Sequence, residues 1–522
     1  MTTTASTRKD QAAEAATPTS AGSWRDWLAL GLLMFPVLLV AVDNTALTFA
    51  LPEIARSLQT TGVQLLWIVD AYPLVLAALL VAMGSLGDRI GRRRLLLTGS
   101  LGFAAVSAAT AFAPTAEWLI AGRAGLGFFG AMLMPSTLSL IRNIFPDPNR
   151  RRLAVAIWAA GFSGGAALGP IFGGWLMEHF WWGAVLLVAV PIMLPLLALG
   201  PFFIPESRDP RPGRVDIISI VLSMLVMVPV VYGIKEIATA GFSLKAVAII
   251  ALGLAMGWVF VRRQRTLAAP LLDMGLFSNR VFSTAITANV LALFSFNGFI
   301  FFLAQHLQLL EGMSPSASGV AMIPALLATV AAGLLVVPLV RKVRPGFVVA
   351  GGLSLSAAGY ALVAFGDHSA GPALLLAALL VLALGVGAAE TISNDLILGS
   401  VPAAKSGAAA AISETGYEVG SLLGTAVLGS ILTASYQRNL VLPEGVASSL
   451  PQGATHQAGE TLAGAVELAA TLQAPAAGEL LATARAAFDS GVHITATIAL
   501  VLMALTAVLA GTVLRKVPRA GK

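Results

Sequence analysis

The chain of 522 residues contains no cysteine and few charged residues. The missing cysteines exclude disulfide bonds and thiolate metal sites. Asp, Glu, Lys and Arg together make up only 11% of the chain, whereas a typical soluble domain carries about 25%. Because that charge density is too low to cover a water-exposed surface, lipid is expected to cover most of the protein.

Two motifs of pumps and enzymes are also missing. The chain has no G-x-x-x-x-G-K-[ST] phosphate loop, which argues against an ATP-driven pump, and no H-E-x-x-H metal motif. We therefore expect no enzyme activity, no cofactor and no metal. The net charge of +6 does not indicate nucleic-acid binding, because its distribution matters more in a membrane protein.

Hydrophobic runs long enough to span a membrane predict an all-α polytopic membrane protein with 14 transmembrane helices. A helical span needs roughly 20 mostly apolar residues. Such runs lie at about 28–51, 66–86, 95–113, 118–141, 153–175, 181–204, 216–234, 244–262, 281–304, 316–340, 347–366, 371–399, 406–433 and 490–514. The first run is too long for a signal sequence, so the polar residues before it predict a cytoplasmic tail over 1–27.

The distribution of lysine and arginine predicts the orientation, because cytoplasmic loops carry the excess of these residues. With the N-terminus inside, 26 of the 32 Lys and Arg lie in inner segments and 5 in outer segments. The outer ones are Arg56, Lys235, Lys245, Arg438 and Arg485. This bias predicts that both termini are cytoplasmic.

A turn rich in glycine and arginine follows the second span. It reads Gly84-Ser-Leu-Gly-Asp88-Arg89-Ile-Gly91-Arg92-Arg93-Arg94. Glycines allow a tight turn, and the arginines hold such a loop at the inner membrane face. The pattern resembles motif A of the major facilitator superfamily. The equivalent loop of the second half, Arg341 to Arg344, is degenerate.

The fifth span contains a stretch of small residues: Gly165, Gly169, Pro170, Gly173 and Gly174. Small residues allow helices to pack closely and proline adds a kink, so ordinary helix packing is one interpretation. The full g-x-x-x-G-P-x-x-G-G pattern resembles motif C of the antiporters in this superfamily. In that family motif C distinguishes exporters from symporters, so the resemblance implies export.

Further segments resemble the fourteen-span drug:proton antiporters, in the branch of QacA- and LfrA-type multidrug efflux pumps. They are the segment around Asp43, Leu66 to Tyr72, Ser393-Asn394-Asp395, and Ser406 to Glu418. The resemblance implies a major facilitator fold (6 + 2 + 6), with six-helix bundles over 28–204 and 266–522. Two linker helices within 205–265 join them, and the central site lies between the bundles. It also implies a monomer in the bacterial cytoplasmic membrane.

Six acids lie inside the predicted spans rather than at their ends: Asp43, Asp70, Glu390, Asp395, Glu414 and Glu418. A carboxylate in hydrocarbon must pair with a base, face a water-filled cavity or be protonated. Arg123 is the only base predicted within a span, so several acids are expected to carry protons or meet a cationic ligand. Arg123 itself resembles the arginine of motif B, which implies proton coupling, although Leu126 stands where that motif usually has glutamine. Structural pairing is the alternative.

The acids differ in their expected roles. Glu414 and Glu418 are four residues apart and share a helix face, which favours a proton carrier. Asp395 lies near an inner helix end, where a gating or helix-terminal role is favoured, and Glu390 stays open between the two roles.

Aromatic and thioether residues are candidates for the apolar part of a cation site. They are Trp67, Tyr72, Phe294, Phe296, Phe299, Phe301, Tyr417, Met132 and Met134. Asn297, Gln305 and His306 add polar groups to the ninth span. Packing against lipid or other helices is the alternative for each.

Together these features predict a proton-coupled exporter of lipophilic cations, such as dyes, quaternary ammonium biocides and fluoroquinolones. A proton-coupled exporter of one endogenous metabolite or lipid is the alternative, and a receptor or structural protein fits the shared acids less well. The connection 434–489 is predicted as a solvated linker or as a structured cap over the outer mouth.

Overall fold

In the computed structural model, long helices lie at all fourteen predicted positions. The structure describes residues 24–208, 216–240, 243–267, 270, 272–366, 371–401, 406–442 and 458–518. The first seven helices are α1 Trp24–Leu58, α2 Gly62–Ile90, α3 Arg92–Thr110, α4 Ala116–Ile144, α5 Pro148–His179, α6 Ala184–Phe203 and α7 Ile217–Ala240. Most of the predicted tail 1–27 lies outside the described residues, and α1 begins at Trp24.

The second seven helices begin with α8 and include two π-helical turns. They are α8 Leu244–Thr266, α9 Arg280–Gln305, α10 Pro315–Leu339, α11 Pro345–Phe365, α12 Pro372–Gly399, α13 Ser406–Leu423 and α14 Ala474–Val513. The π-helical turn His306–Leu310 continues α9, and the turn Gly424–Gly429 links α13 to a final segment Ser430–Asn439.

Twelve of these described helices are long and apolar enough to cross a membrane. The two others are α3, which opens with three arginines, and α5, which has the arginine run of 150–152 in its first turns. Both lie where the sequence predicts spans. The all-α membrane fold is confirmed, and the exact count of fourteen stays a prediction.

The helices pack as two groups with a pair at the side. In the first group α1 packs on α5 and α2 on α4; in the second, α11 lies between α12 and α14. The groups meet where α5 contacts α10 and α2 contacts α13. The pair α7 and α8 packs mainly on itself, and α7 also contacts α2 and the residues that follow α13, Gly424–Gly429 and Ser430–Asn439. At the start of α7, Asp216 accepts a hydrogen bond from Arg263 of α8, and this bond lowers the pKa of Asp216 from 3.8 to about 2. The same bond links α7 to α8.

Motif A forms a tight turn at one end of the helices, here called the arginine-rich end. Gly91 closes α2 by donating its N–H to the Gly87 carbonyl at 3.0 Å, and α3 begins at the next residue. The Glu206 carboxylate accepts the Arg93 backbone N–H at 3.1 Å, and Arg92 donates to the Ser207 carbonyl at 2.9 Å. A carboxylate at a helix N-terminus is favourable, so the end of α6 anchors the motif.

Replacing Gly91 with alanine is expected to destabilise this turn. Gly91 has φ of +114°, and an added Cβ would come within 2.7 Å of the Glu206 carboxylate. A side chain in such a sparsely populated backbone conformation costs about 1–3 kcal/mol before any overlap. Thermal unfolding of the purified variant should begin at a lower temperature. Gly31→Ala is the control, because nothing lies within 4 Å of its added Cβ; equal unfolding temperatures would contradict the prediction.

The connection predicted over 434–489 is mainly helical where it is described. Helix structure continues to Asn439, a short helix covers Leu462–Ala469, and α14 begins at Ala474. The Tyr436 hydroxyl donates to the Ala458 carbonyl at 2.9 Å, and Gln59 after α1 donates to Glu467 at 3.2 Å. Residues 443–457 lie outside the described part. The described residues therefore fit the structured cap, which lies opposite the arginine-rich end.

Candidate functional site

Asp43 and Arg123 form a buried ion pair between α1 and α4. Arg123 Nη1 lies 2.7 Å from Asp43 Oδ2, and both side chains are at most 3% exposed. Arg123 Nε also donates to the Ile68 carbonyl at 3.2 Å, and its guanidinium lies 4.6 Å from the centre of the Tyr72 ring. Arg123 thus compensates the charge of Asp43 within the first helix group. This arrangement fits the alternative role considered for Arg123, which is structural pairing.

Asp70 also has a basic partner, which contradicts the prediction that Arg123 is the only base within a span. Lys235 Nζ lies 3.0 Å from Asp70 Oδ2, and both side chains are almost completely buried. Lys235 belongs to α7, inside the apolar stretch Ile217–Ile237. The predicted span ended at residue 234 because a lysine normally marks a span boundary. A long ammonium side chain can nevertheless be buried when a carboxylate receives it.

Glu390, Glu414 and Glu418 form a carboxylate cluster between α12 and α13. Glu414 interacts electrostatically with both other glutamates, and Tyr417 interacts with all three. Among the described residues, no lysine, arginine or histidine is paired with them. Glu418 is 7% exposed, whereas the Glu414 side chain is exposed. The cluster therefore combines a buried carboxylate with one that is open to its surroundings.

A small polar cavity of about 40 Å³ lies beside Arg123, at the junction of the two groups. Its polar lining comes from both groups: Thr45, Thr48, Arg123, Asn297, Ser421 and Thr425. A water molecule occupies about 30 Å³ in the liquid, so the cavity has room for one. Arg123 lines this cavity from α4, and Ser421, three residues after Glu418, lines it from α13, so the ion pair lies near the part of α13 that carries Glu418.

Two apolar clefts flank α7. The larger, of about 660 Å³, lies between α7, α14 and the segment after α13 from Val427 to Asn439. Ile234 and Ile237, which precede and follow Lys235 in sequence, line it. The smaller, of about 260 Å³, lies between α2, α7, α8 and α13. Pockets that bind drug-sized ligands have volumes of about 300–1,000 Å³, and the larger cleft falls within this range.

Comparison with known proteins places this architecture in a family. The model of the Major Facilitator Superfamily matches residues 33–425. The chain belongs to this superfamily. The resemblance expected from motifs A and C is confirmed.

Named relatives of this superfamily member are drug-resistance proteins. The chain is 54% identical to the multidrug efflux pump LfrA of Mycolicibacterium smegmatis, over 94% of this chain and 97% of that protein. It is 35% identical to the methyl viologen resistance protein SmvA of Salmonella typhimurium, over 89% and 93% of the two chains. Both alignments extend through most of the helices described above.

Among solved structures, a bacterial homolog of the human lysosomal transporter Spinster, inward-facing and unoccupied, matches with a TM-score of 0.64. The match covers 97% of this chain and all of the other chain at 16% identity. At that identity the likeness shows the fold alone.

The motif C glycines of this superfamily member lie where α5 meets α1 and α10. A Cβ added at Gly165 would come within 2.8 Å of Ala41 Cβ, and one at Gly173 within 2.9 Å of the Ala46 carbonyl. Additions at Gly169 and Gly174 would overlap Thr45 and Ser316. Of Pro170 only the backbone, inside α5, is described. The stretch therefore forms contacts both within the first helix group and between the groups.

Two predicted pocket aromatics lie in packed interiors instead. Phe299 has no exposed surface and packs on Phe302 and Tyr360, with ring centres 4.6 and 5.5 Å away. Tyr72 is also fully buried, behind Arg123. Spacing along a helix does not reveal which face meets a neighbouring helix, so the burial of both side chains could not be predicted, and their assignment to the substrate pocket stays a prediction.

The other predicted residues take varied positions. Trp67, Phe296 and Tyr417 are half-buried, whereas Phe294 and Phe301 are buried. Arg89 and Asp395 are exposed near the arginine-rich end, Gly84 packs near Pro135, and the Asp88 side chain lies outside the described part. Asp395 thus fits a helix-terminal position rather than the carboxylate cluster.

An aromatic row, missed by the sequence reasoning, links the two groups at Tyr417. Phe162 of α5 lies 6.1 Å from Tyr417, and Trp158 stacks on Phe162 at 6.3 Å. Trp158 Nε1 donates to Thr137 Oγ1 at 3.1 Å, which fixes the ring. The four-residue spacing of Trp158 and Phe162 marks one helix face, but only the tertiary structure places that face beside the carboxylate cluster.

Proposed function

We propose that this chain is a proton-coupled multidrug exporter of the bacterial cytoplasmic membrane. It acts as a monomer with both termini in the cytoplasm, so that the arginine-rich end faces inward. The observation that carries the proposal is the cluster of Glu390, Glu414 and Glu418, which has no basic partner in the described part of the chain. Uncompensated carboxylates within a membrane must bind protons or cations.

The proposed cycle is competition between a proton and a drug for these carboxylates. With the arginine-rich side open, a lipophilic cation from the cytoplasm or inner leaflet binds beside Glu414 and Glu418, and Tyr417 and Phe162 contact its apolar part. The groups then rock about their contacts, α5 on α10 and α2 on α13. Protons from outside neutralise the acids and release the drug, and the protonated form returns.

The membrane potential adds to this cycle when more proton charge enters than drug charge leaves. Moving one net positive charge inward gains about 2.3 kcal/mol per 100 mV. The names of the two drug-resistance relatives and the motif C contacts of α5 support export rather than uptake.

The proposal predicts gradient-driven dye accumulation in vesicles that carry the protein. In inside-out vesicles, an imposed gradient that is acidic inside should drive ethidium into the lumen, because lumenal protons displace the dye from the carboxylates. Ethidium fluorescence measures the accumulation, and a protonophore should abolish it. Protein-free vesicles are the control. Accumulation that is the same with and without the gradient would contradict proton coupling.

A further inference from the structure

In the ion pair of Asp70 and Lys235, the ammonium group makes the contacts that a bound organic cation would make. The ammonium lies 3.0 Å from the carboxylate and 3.9 Å from the centre of the Trp67 ring. A carboxylate combined with an aromatic face is the arrangement by which proteins bind alkylammonium groups. Here the group that fills the site belongs to the protein itself, and Lys235 is 1% exposed.

We propose that Lys235 is a tethered cation that occupies the site formed by Asp70 and Trp67 and thereby limits the charge of the substrates that the exporter accepts. The inference rests on the proposed export of cations and names a residue that sets its specificity.

The position of Lys235 on α7 supports a displaceable role. Val231, one turn earlier, packs with Leu74 of α2 and with Leu422 and Ala426 at the end of α13. Lys235 therefore contacts the first helix group from α7, and α7 also contacts the second helix group. A relative movement of α2 and α13 must change the environment of the pair.

Stability alone gives little reason to bury this pair. Removing two charges from water costs several kcal/mol per ion, and well-packed apolar residues are often as stabilising as a buried ion pair. The pair does have a clear electrostatic consequence. Asp70 with Lys235, like Asp43 with Arg123, carries no net charge, whereas the glutamate cluster has no basic partner among the described residues and keeps its negative charge uncompensated.

Neutralising Lys235 should therefore add one negative charge to the substrate region. Lys235→Met keeps the length of the side chain and frees both Asp70 and the Trp67 ring. We expect a gain in affinity of about tenfold for the monocation tetraphenylphosphonium, in the usual range for one coupled group. The dication methyl viologen should gain more, because Coulomb energy scales with its charge.

Equilibrium dialysis of the purified full-length protein measures both affinities. Lys245→Met is the matched control, because Lys245 lies at the start of α8, pairs with Glu236 and is 65% exposed; it should leave both affinities unchanged. Asp70→Asn combined with Lys235→Met should abolish the gain. If the Lys235→Met variant folds but binds both cations with the same affinities as the unmodified protein, the proposal is overturned. The assay needs no proton gradient, so it fails or succeeds separately from the vesicle experiment.

A second measurement uses the unmodified chain and does not depend on the folding of a variant. A membrane-permeant amine reagent followed by mass spectrometry reports the accessibility of each lysine. Saturating tetraphenylphosphonium should raise the labelling of Lys235 several-fold, because the ligand displaces the ammonium from Asp70, and labelling of Lys245 should not change. Labelling of Lys235 that stays the same or falls would show that the cation does not displace it.

Discussion

Replacing Glu418 with glutamine is expected to abolish gradient-driven export while the fold is retained. The side chain is 7% exposed and, among the described residues, has no basic partner. Glutamine keeps its size but cannot exchange a proton. Transport should fall at least about 100-fold, a typical effect of removing a positioned proton-transfer group. Because no base is left unpaired, the unfolding temperature should stay the same or rise.

Ethidium transport in the vesicles and thermal unfolding of the purified protein measure the two effects separately. Glu479→Gln is the matched control, because Glu479 is exposed in the first turns of α14, and its transport should equal that of the unmodified chain. If Glu418→Gln exports at full rate, the proton is carried elsewhere, with Glu414 and Glu390 as the remaining members of the cluster.

Replacing Arg123 with methionine, unlike Glu418→Gln, should cause a large loss of stability. It leaves the Asp43 carboxylate buried without its partner at 2.7 Å. Breaking a buried pair on one side costs about 3–5 kcal/mol, and the unfolding temperature should fall accordingly. Asp43→Asn alone should also destabilise the protein, because the neutral amide leaves the buried charge of Arg123 uncompensated.

Combining Asp43→Asn with Arg123→Met separates pairing from general damage. The double variant has no buried charge at this position, so most of the lost stability should return. Arg56→Met is the control: its pair with Glu53 is 3.9 Å long and largely exposed, and the change should be within about 0.5 kcal/mol. A double variant that is as unstable as Arg123→Met would contradict a pairing role.

Much of the fold could be predicted from local properties of the sequence. Apolar runs determine where helices form, because a chain in lipid must satisfy its backbone hydrogen bonds internally. Motif A could be located because a turn of one residue between α2 and α3 requires a glycine such as Gly91. The pair Glu414 and Glu418 could be grouped because residues four apart share a helix face.

The sequence by itself determined that this is an all-α membrane protein of a transporter family, with acids buried in its helices. Which of those acids are compensated was decided only by the tertiary structure. Arg123 is 80 positions from Asp43 and Lys235 is 165 from Asp70, and no local pattern indicates that they pair. The packing of the helices places each of these bases beside its acid, and it places the three glutamates of α12 and α13 near one another. Ion pairing depends on distances of a few ångströms between helices, and those distances are a property of the packed structure.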